Sequence, residues 1–450
     1  MKNIPFIQAW DDASARCRKP LSATAVQLAR ASLFDTAATM AAGARENTTV
    51  AALASTGRGE LSVGDAALVL GTASHALDYD DVCMLATCHP SAPVFAALLA
   101  LLPELDARKV SWGELVGAYA LGTETMLRLG QWLGFRHYAL GFHATSTLGT
   151  VGVAAAVAHV LKLEPIKARA ALSIAASSSC GLRTNFGTDT KPLHVGFAAA
   201  GGVRAALLAG AGANASDDVW TSSGFFTAFN GGAAPVDLPW QPGMPLAIES
   251  PGFEIKRFPS CYLTHRMMAG VLKLRERHPA LLGSDVRIDV EMPGNSIPPL
   301  KYPRPVTGLQ GKFSGQYCAA AAWVDGRADL GSFADASVLR GPVRAQMERV
   351  TLAGRAGDEN LDTAPVRVTV RGAGVEDSIN VDWAPGSLAD PFTRGQLLAK
   401  WQDCARHGAL EGAEAAATQL LDAPLDAPAA QVLGGMRERL LAATRLGVQP

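Results

Sequence analysis

Apolar residues recur at helical spacing through the first half of the chain, as Val26, Leu33, Ala37 and Met40 in one segment and Leu115, Tyr119 and Met126 in another, which predicts helices. Small residues crowd 145–160 (TSTLGTVGVAAAVAHV) and 196–212, a texture that lets helix backbones approach closely and predicts buried, central helices. Around Phe253 the period changes. Ile288, Val290 and Met292 alternate with Arg287, Asp289 and Glu291, the pattern repeats at Val366, Val368 and Val370, and Ile379, Val381 and Trp383 follow, so half-buried strands are expected. Helical spacing persists between them at 263–277 and 315–323, and it returns from Thr393 onward. The expected fold is mainly α with an α+β lid. A large all-helical domain is formed by both chain ends, 1–252 and 393–450, and a smaller α+β domain by 253–392.

Composition removes several functional classes. Of the 450 residues 48% are hydrophobic, enough for a large core, and 40 basic against 41 acidic side chains give a net charge of -1, without the basic excess of a nucleic-acid binder. Apolar runs such as 94–102 (VFAALLALL) fall short of the roughly 18 to 20 uncharged residues of a spanning helix, so no membrane segment is expected. Lys2, Asp11, Asp12, Arg16, Arg18 and Lys19 interrupt the first turns where an export signal would be apolar. The 7 cysteines (17, 83, 88, 180, 261, 318 and 404) are odd in number and thinly spread, which suits reduced thiols and a cytoplasmic location. No phosphate loop and no G-x-S-x-G elbow occurs, and Cys83, Cys88 and His89 lack the C-x-x-C or H-E-x-x-H spacing of a metal site, so no metal is expected.

What remains is a set of titratable residues in Gly, Ser, Thr and Pro-rich breaks between apolar helices. HALDYDDVCMLATCHPSAPV carries Asp78, Asp80, Asp81 and His89, which on a bland reading only cap and solvate helix ends. GFHATSTLGT sets His143 at a helix start, where a histidine can meet a bound carboxylate. GLRTNFGTDTKPLHVGFAAAGG brings Arg183, Lys191 and His194 to the mouth of an apolar helix, with Thr190 or Lys191 expected as its cap. FEIKRFPSCYLTHRMM supplies Lys256, Arg257, Cys261, His265 and Arg266 at the junction of the two textures, and GLQGKFSGQYCAAAA supplies Lys312 and Tyr317. Solvated lysines and a core tyrosine are the plain alternatives for that last segment. Taken together the set suits proton transfer on a carboxylate-rich substrate: cations stabilise the charge that builds when the neighbouring C–H is deprotonated, and a His, Lys or Tyr acts as base.

These five segments, in this order and spacing, resemble the MmgE/PrpD family from about Leu28 to the final helices. The resemblance implies a homodimer, a helical domain built from both chain ends with an α+β lid, and activity without metal or organic cofactor. Carried over from the family's decarboxylase-type pocket, it points to Asp78, His89, His143, Lys191, Lys256 and Tyr317. Val82 stands where that pattern has threonine and Cys261 where it has histidine, which disfavours decarboxylation of cis-aconitate. The expected activity is a dehydratase-type, cofactor-independent lyase acting on a small di- or tricarboxylate such as 2-methylcitrate. In that expectation Lys191 and Lys256, supported by Arg183 or Arg257 and flanked by His194 and His265, hold carboxylates. His89, His143 and Tyr317 move protons, with titration shaping the rate between about pH 6 and 9, and Asp78 orients a base. The alternatives are an epimerase of an iminodisuccinate-like dicarboxylate with Cys261 as second base, and a non-catalytic helical protein that binds an anion.

Overall fold

The computed structural model describes residues 4–57, 59–221, 223–233, 240–357, 361, 364–410 and 412–447. The helical texture of the first half gives, among other helices, α1 (Ala23–Gly43), α2 (Val63–His75), α3 (Ser91–Ala100), α4 (Trp112–Ala139), α5 (Ala144–Val160), α6 (Pro165–Ser178) and α7 (Thr190–Gly210). Every residue of α5 is buried, as its small-residue composition predicts, because α4, α6 and α7 pack around it. Gly202 shows why the composition is needed. A Cβ there would lie 2.5 Å from Val153 Cβ on α5 and 2.6 Å from the Thr150 carbonyl, so only glycine lets α7 approach this closely.

One expectation about apolar length requires correction. Helix α7, with 21 residues and a mean hydropathy of 1.3, is long and apolar enough by composition to cross a membrane. It is packed instead between α2, α5 and α6, with 56% of its most apolar window buried in the protein.

Beyond Phe253 come α8 (His265–Arg277), β1 (Arg287–Pro293), α9 (Gly315–Asp325), β2 (Val350–Arg355), β3 (Val366–Gly372) and β4 (Val375–Val381). The sheet order is β2-β1-β3-β4, with β1 and β2 parallel and the other pairs antiparallel. Its register sets Val290 opposite Val368, and Val368 opposite Ile379, so the alternation read in the sequence places Ile288, Val290, Met292, Val366, Val368 and Val370 on the buried side, beneath α8 and α9. Trp383 lies past the end of β4 and is exposed, and β2 carries too little alternation to stand out.

Two main apolar cores result. One gathers residues from Ile4 to Phe253, then Leu330, and again Leu397, Trp401 and the final helices, and the other draws on residues from Phe258 to Val370. The chain thus leaves the helical core at Phe253 and rejoins it at α10 (Arg394–His407), which packs on α1.

Candidate active site

The site begins where α2 stops. After His75 the backbone turns sharply, and Asp78 adopts φ 53, a left-handed conformation that aspartate tolerates better than most residues. Asp80 and Asp81 follow, fully buried rather than solvated at a helix end. Asp81 accepts a hydrogen bond from Ser91 N at 3.2 Å and another from Ser91 Oγ, which pins this loop to the start of α3. The Nδ1–H of His75 is shared by the Asp80 carboxylate oxygens at 2.8 and 2.9 Å, so its Nε2 is the open lone pair. Lys191, in the first turn of α7, donates to that Nε2 at 2.8 Å and to Asp78 Oδ1 at 2.5 Å. The cap residue of α7 is Asp189, without a side-chain cap bond, not Thr190 or Lys191.

Lys256 reaches the same carboxylate from the stretch joining the two cores. Its Nζ donates to the Asp78 carbonyl at 2.9 Å and lies 3.2 Å from Asp78 Oδ1. Burial pushes the Asp78 carboxyl up, but the Lys191 and Lys256 ammonium groups outweigh burial and hold it well below the usual carboxylate range. Asp78 is therefore an anion. Its Oδ2 is buried and has no hydrogen-bond partner among the described residues.

His89 is held by a hydrogen bond from Nδ1–H to the Asp81 carbonyl at 2.7 Å, which leaves Nε2 as a lone pair 3.8 Å from Asp78 Oδ1. His143, the cap residue of α5, shares one hydrogen between its Nδ1 and that of His194, 3.0 Å apart. Burial, then Asp80 in opposition, leaves the His75 pKa low, and burial places His89 and His143 well below an ordinary imidazole. His194 is pushed down to about 4 by burial and by His75 and Lys191. At neutral pH these rings are neutral bases and hydrogen-bond partners, not cations.

Asp78, His89, His143, Lys191, Lys256 and Cys261 line one cavity, whose remaining wall is mostly apolar and includes Val82, Phe186 and Phe313. An ammonium has three donors. Each lysine uses two on Asp78, its carbonyl or His75, which leaves one each for a guest in the cavity. Burial raises the Cys261 thiol to about 11, so it stays protonated.

The structure does not bring the other predicted residues into this wall. Tyr317 belongs to the second core, where its hydroxyl donates to the Ser332 carbonyl and its ring meets Phe333 edge-on. Arg183 lies over the Tyr138 ring at 4.4 Å, one layer back from the cavity, and His194 stands behind His143. Arg257 is exposed, 5.9 Å over the Phe258 ring. His265 is buried against Phe258 and Tyr262, its Nε2 3.4 Å from the Ser260 carbonyl.

Sequence reasoning missed His75, which the same HALDYDD stretch offered one turn before Asp78. It also missed the buried Lys400, and it left Lys312 open between a site residue and a solvated one. Lys312 is not solvated: it donates to the Leu77 and Pro259 carbonyls at 2.7 and 2.8 Å, and burial pushes its pKa down to about 8. Lys400 on α10 pairs with Asp35 on α1 at 2.6 Å and donates to the Tyr79 and Lys256 carbonyls at 2.8 and 2.9 Å.

Four potential metal ligands also converge: one atom each of His75, Asp78, Asp80 and His89 lies within 4.8 Å of the others. They are not the Cys83, Cys88 and His89 cluster of the sequence. His75 and Asp80 satisfy one another, and two ammonium groups already sit on Asp78, so the position a divalent cation would take is held by lysine.

The MmgE/PrpD N-terminal domain model matches residues 15–237, and the MmgE/PrpD C-terminal domain model matches 258–426. The cis-aconitate decarboxylase of Homo sapiens is 34% identical over 297 residues, covering 64% of this chain and 60% of its own. That of Mus musculus is 33% identical over 301 residues, with the same coverage of 64% and 60%. The cis-aconitate decarboxylase of Aspergillus terreus is 28% identical over 281 residues, covering 58% and 57%. The chain therefore spans about 60% of the length of the curated relatives it matches.

Proposed function

The chain belongs to the MmgE/PrpD family, and from that premise we propose that it is a lyase that removes a proton beside a carboxylate of a small di- or tricarboxylate and expels a β-hydroxyl as water. The remaining donors of Lys191 and Lys256 bind substrate carboxylates and stabilise the enolate-like charge that develops on them. His89 Nε2, fixed by its bond to the Asp81 carbonyl, takes the carbon-bound proton. The electron pair of that C–H bond becomes the new C=C bond, the C–O bond breaks, and the imidazolium of His89 gives its proton to the departing oxygen, so water leaves and the ring ends neutral. Asp78, close to His89, stabilises the transient imidazolium.

The observation that carries dehydration is Asp78 Oδ2, an ionised, buried acceptor without a partner among the described residues, on a residue that lines the cavity. It matches a substrate hydroxyl, which donates, whereas an ionised cis-aconitate-like tricarboxylate brings no donor. The relatives' names favour decarboxylation as a second reading, and Val82 and Cys261, both in the wall, are the departures from the pattern that weigh against it. The epimerase alternative needs Cys261 as a base, and its thiol is protonated at neutral pH.

The test is incubation with citrate, 2-methylcitrate, cis-aconitate and iminodisuccinate in heavy water, followed by NMR. An alkene from a β-hydroxy tricarboxylate is the expected product. Release of carbon dioxide from cis-aconitate would move the assignment to decarboxylation, and inversion with deuterium incorporation to epimerisation. Binding without turnover of any would leave an anion-binding protein.

A further inference from the structure

We propose that Lys400 is a positioning residue for this site: from outside the cavity it fixes the separation between Asp78 and Lys256 on which the lyase reading rests. The residue is 3% exposed, and its ammonium makes three contacts, with Asp35 Oδ1 at 2.6 Å, the Tyr79 carbonyl at 2.8 Å and the Lys256 carbonyl at 2.9 Å, while sitting 3.9 Å over the Tyr79 ring. One carbonyl belongs to the residue after Asp78 and the other to Lys256 itself. A single cation thus holds both partners of the Asp78 and Lys256 pair by their backbones.

The segments it joins are also tied directly, by Lys256 Nζ to the Asp78 carbonyl at 2.9 Å and by the Tyr79 hydroxyl to the Arg257 carbonyl at 3.2 Å. Those two bonds fix the segments against one another, and Lys400 fixes both to the helical core through Asp35 on α1. The left-handed backbone of Asp78 (φ 53) is a conformation that persists where its surroundings over-determine it, and Lys400 is one of the groups that do so. Lys400 does not line the cavity, so it acts through the residues it holds.

The variant that tests this is the double replacement Asp35→Asn/Lys400→Met, which removes both charges together and leaves neither buried without its partner. It should unfold cooperatively near the wild-type temperature. On the substrate that the wild type turns over, kcat should fall about tenfold to a hundredfold, the cost of a small misplacement at a reacting centre, while KM changes less than about twofold. In the ligand-free protein the imidazole resonances of His75 and His89 should shift, because both rings hang on the Asp78–Asp81 loop. Asp35→Asn alone loosens the tie to α1 but keeps both carbonyl bonds of Lys400, so it should cost less kcat and shift these resonances less than the double replacement. A double variant with wild-type kcat and unshifted resonances overturns the proposal, as does an Asp35→Asn variant that loses as much as the double. If the double variant does not fold, Lys400→Arg decides, since a guanidinium keeps the charge but not the geometry: shifted resonances support positioning and unshifted ones refute it. If the wild type turns over none of the polycarboxylates, the lyase reading fails by itself, and the resonances still decide the role of Lys400.

Discussion

Lys191 meets Asp78, His75 and the cavity at one atom, and its replacement should separate substrate binding from catalysis. Lys191→Ala removes a charge-assisted hydrogen bond to the developing anion, worth about 3 kcal/mol or roughly a hundredfold in kcat. Unchanged turnover would show that the ammonium serves only to neutralise Asp78. For His89, burial lowers the imidazole pKa well below 6.5, so the base stays neutral as pH falls through that value. The acid limb of the rate should accordingly lie below about pH 6.5, lower than the interval from about pH 6 to 9 expected from an ordinary histidine. His89→Gln should abolish that limb along with most of kcat; a limb that survives in the variant belongs to another group. Cys261→Ser should keep most activity, because a thiol with a pKa of about 11 is no base at neutral pH, and a disabled serine variant would favour the epimerase. Dialysis against a chelator should leave turnover intact, and recovery only on adding a divalent metal would assign the four-ligand cluster at His75 a metal after all. Lys191, Lys256, His89 and His143 around Asp78 are legible in the sequence because they sit in Gly, Ser, Thr and Pro-rich breaks, whereas His75 closes a regular helix. Lys400 is not legible, since a lysine in QLLAKWQDCARH reads as the solvated face of an amphipathic helix, and the carbonyl that claims it is 321 residues away. Tyr317 illustrates the reverse error: a motif supplies its position, but the direction of its hydroxyl is decided by Ser332.

Among the elements, α5 and α7 carry the site at their first turns, with His143 capping one and Lys191 opening the other. Gly202 sets their approach. Gly202→Ala should gain about 1 kcal/mol of helix propensity, yet it places a methyl 2.5 Å from Val153 Cβ and 2.6 Å from a backbone oxygen that cannot rotate away. Overpacking of this kind costs typically about 1–3 kcal/mol, so the clash wins and the denaturation midpoint should fall. A midpoint that rises would mean that the two helices can part without cost. Helix type and burial in this region follow from composition, because residues without branches or bulk leave a helix few ways to pack other than closely. The limits of β4 do not follow so directly: alternation carries the pattern through Trp383, but pairing with β3 ends at Val381, opposite Val366.

Across the molecule, the protonation of histidine links function to stability. Seven of the nine histidines (75, 89, 137, 143, 159, 194 and 265) have pKa values lowered chiefly by burial, to about 4 for His137, His159 and His194. The unfolded chain binds protons at these sites below about pH 6.5 and the folded one does not, so their contribution is full above that pH and is lost as pH falls toward 4. Each can remove about 1.4 kcal/mol per pH unit in that interval. Asp35 acts in the opposite sense: burial raises its pKa to about 6 against the pull of Lys400, so its protonation favours the folded state as acid is added, and burial raises Asp81, Glu124 and Asp403 likewise, but these are four groups against seven. Tm should therefore drop steeply between pH 6.5 and 4, with net proton uptake on unfolding, and a flat Tm over that interval would refute the assignment of these rings as neutral. The change from helical to alternating texture at Phe253 was legible at this scale, whereas the convergence of both cores on one carboxylate was not, because no local pattern records a meeting of residues 35, 78, 256 and 400. That meeting has a consequence for how the chain is made. A ribosome releases Asp35 and the Asp78–Asp81 loop early, and domains generally begin to fold as they emerge, yet the ammonium that neutralises Asp35 arrives 365 residues later, on α10. Until then the nascent helices must either leave that carboxylate hydrated or bury it protonated, so the interior around α1 cannot close in its final form, and the reaction centre comes into being only once α10 has been translated.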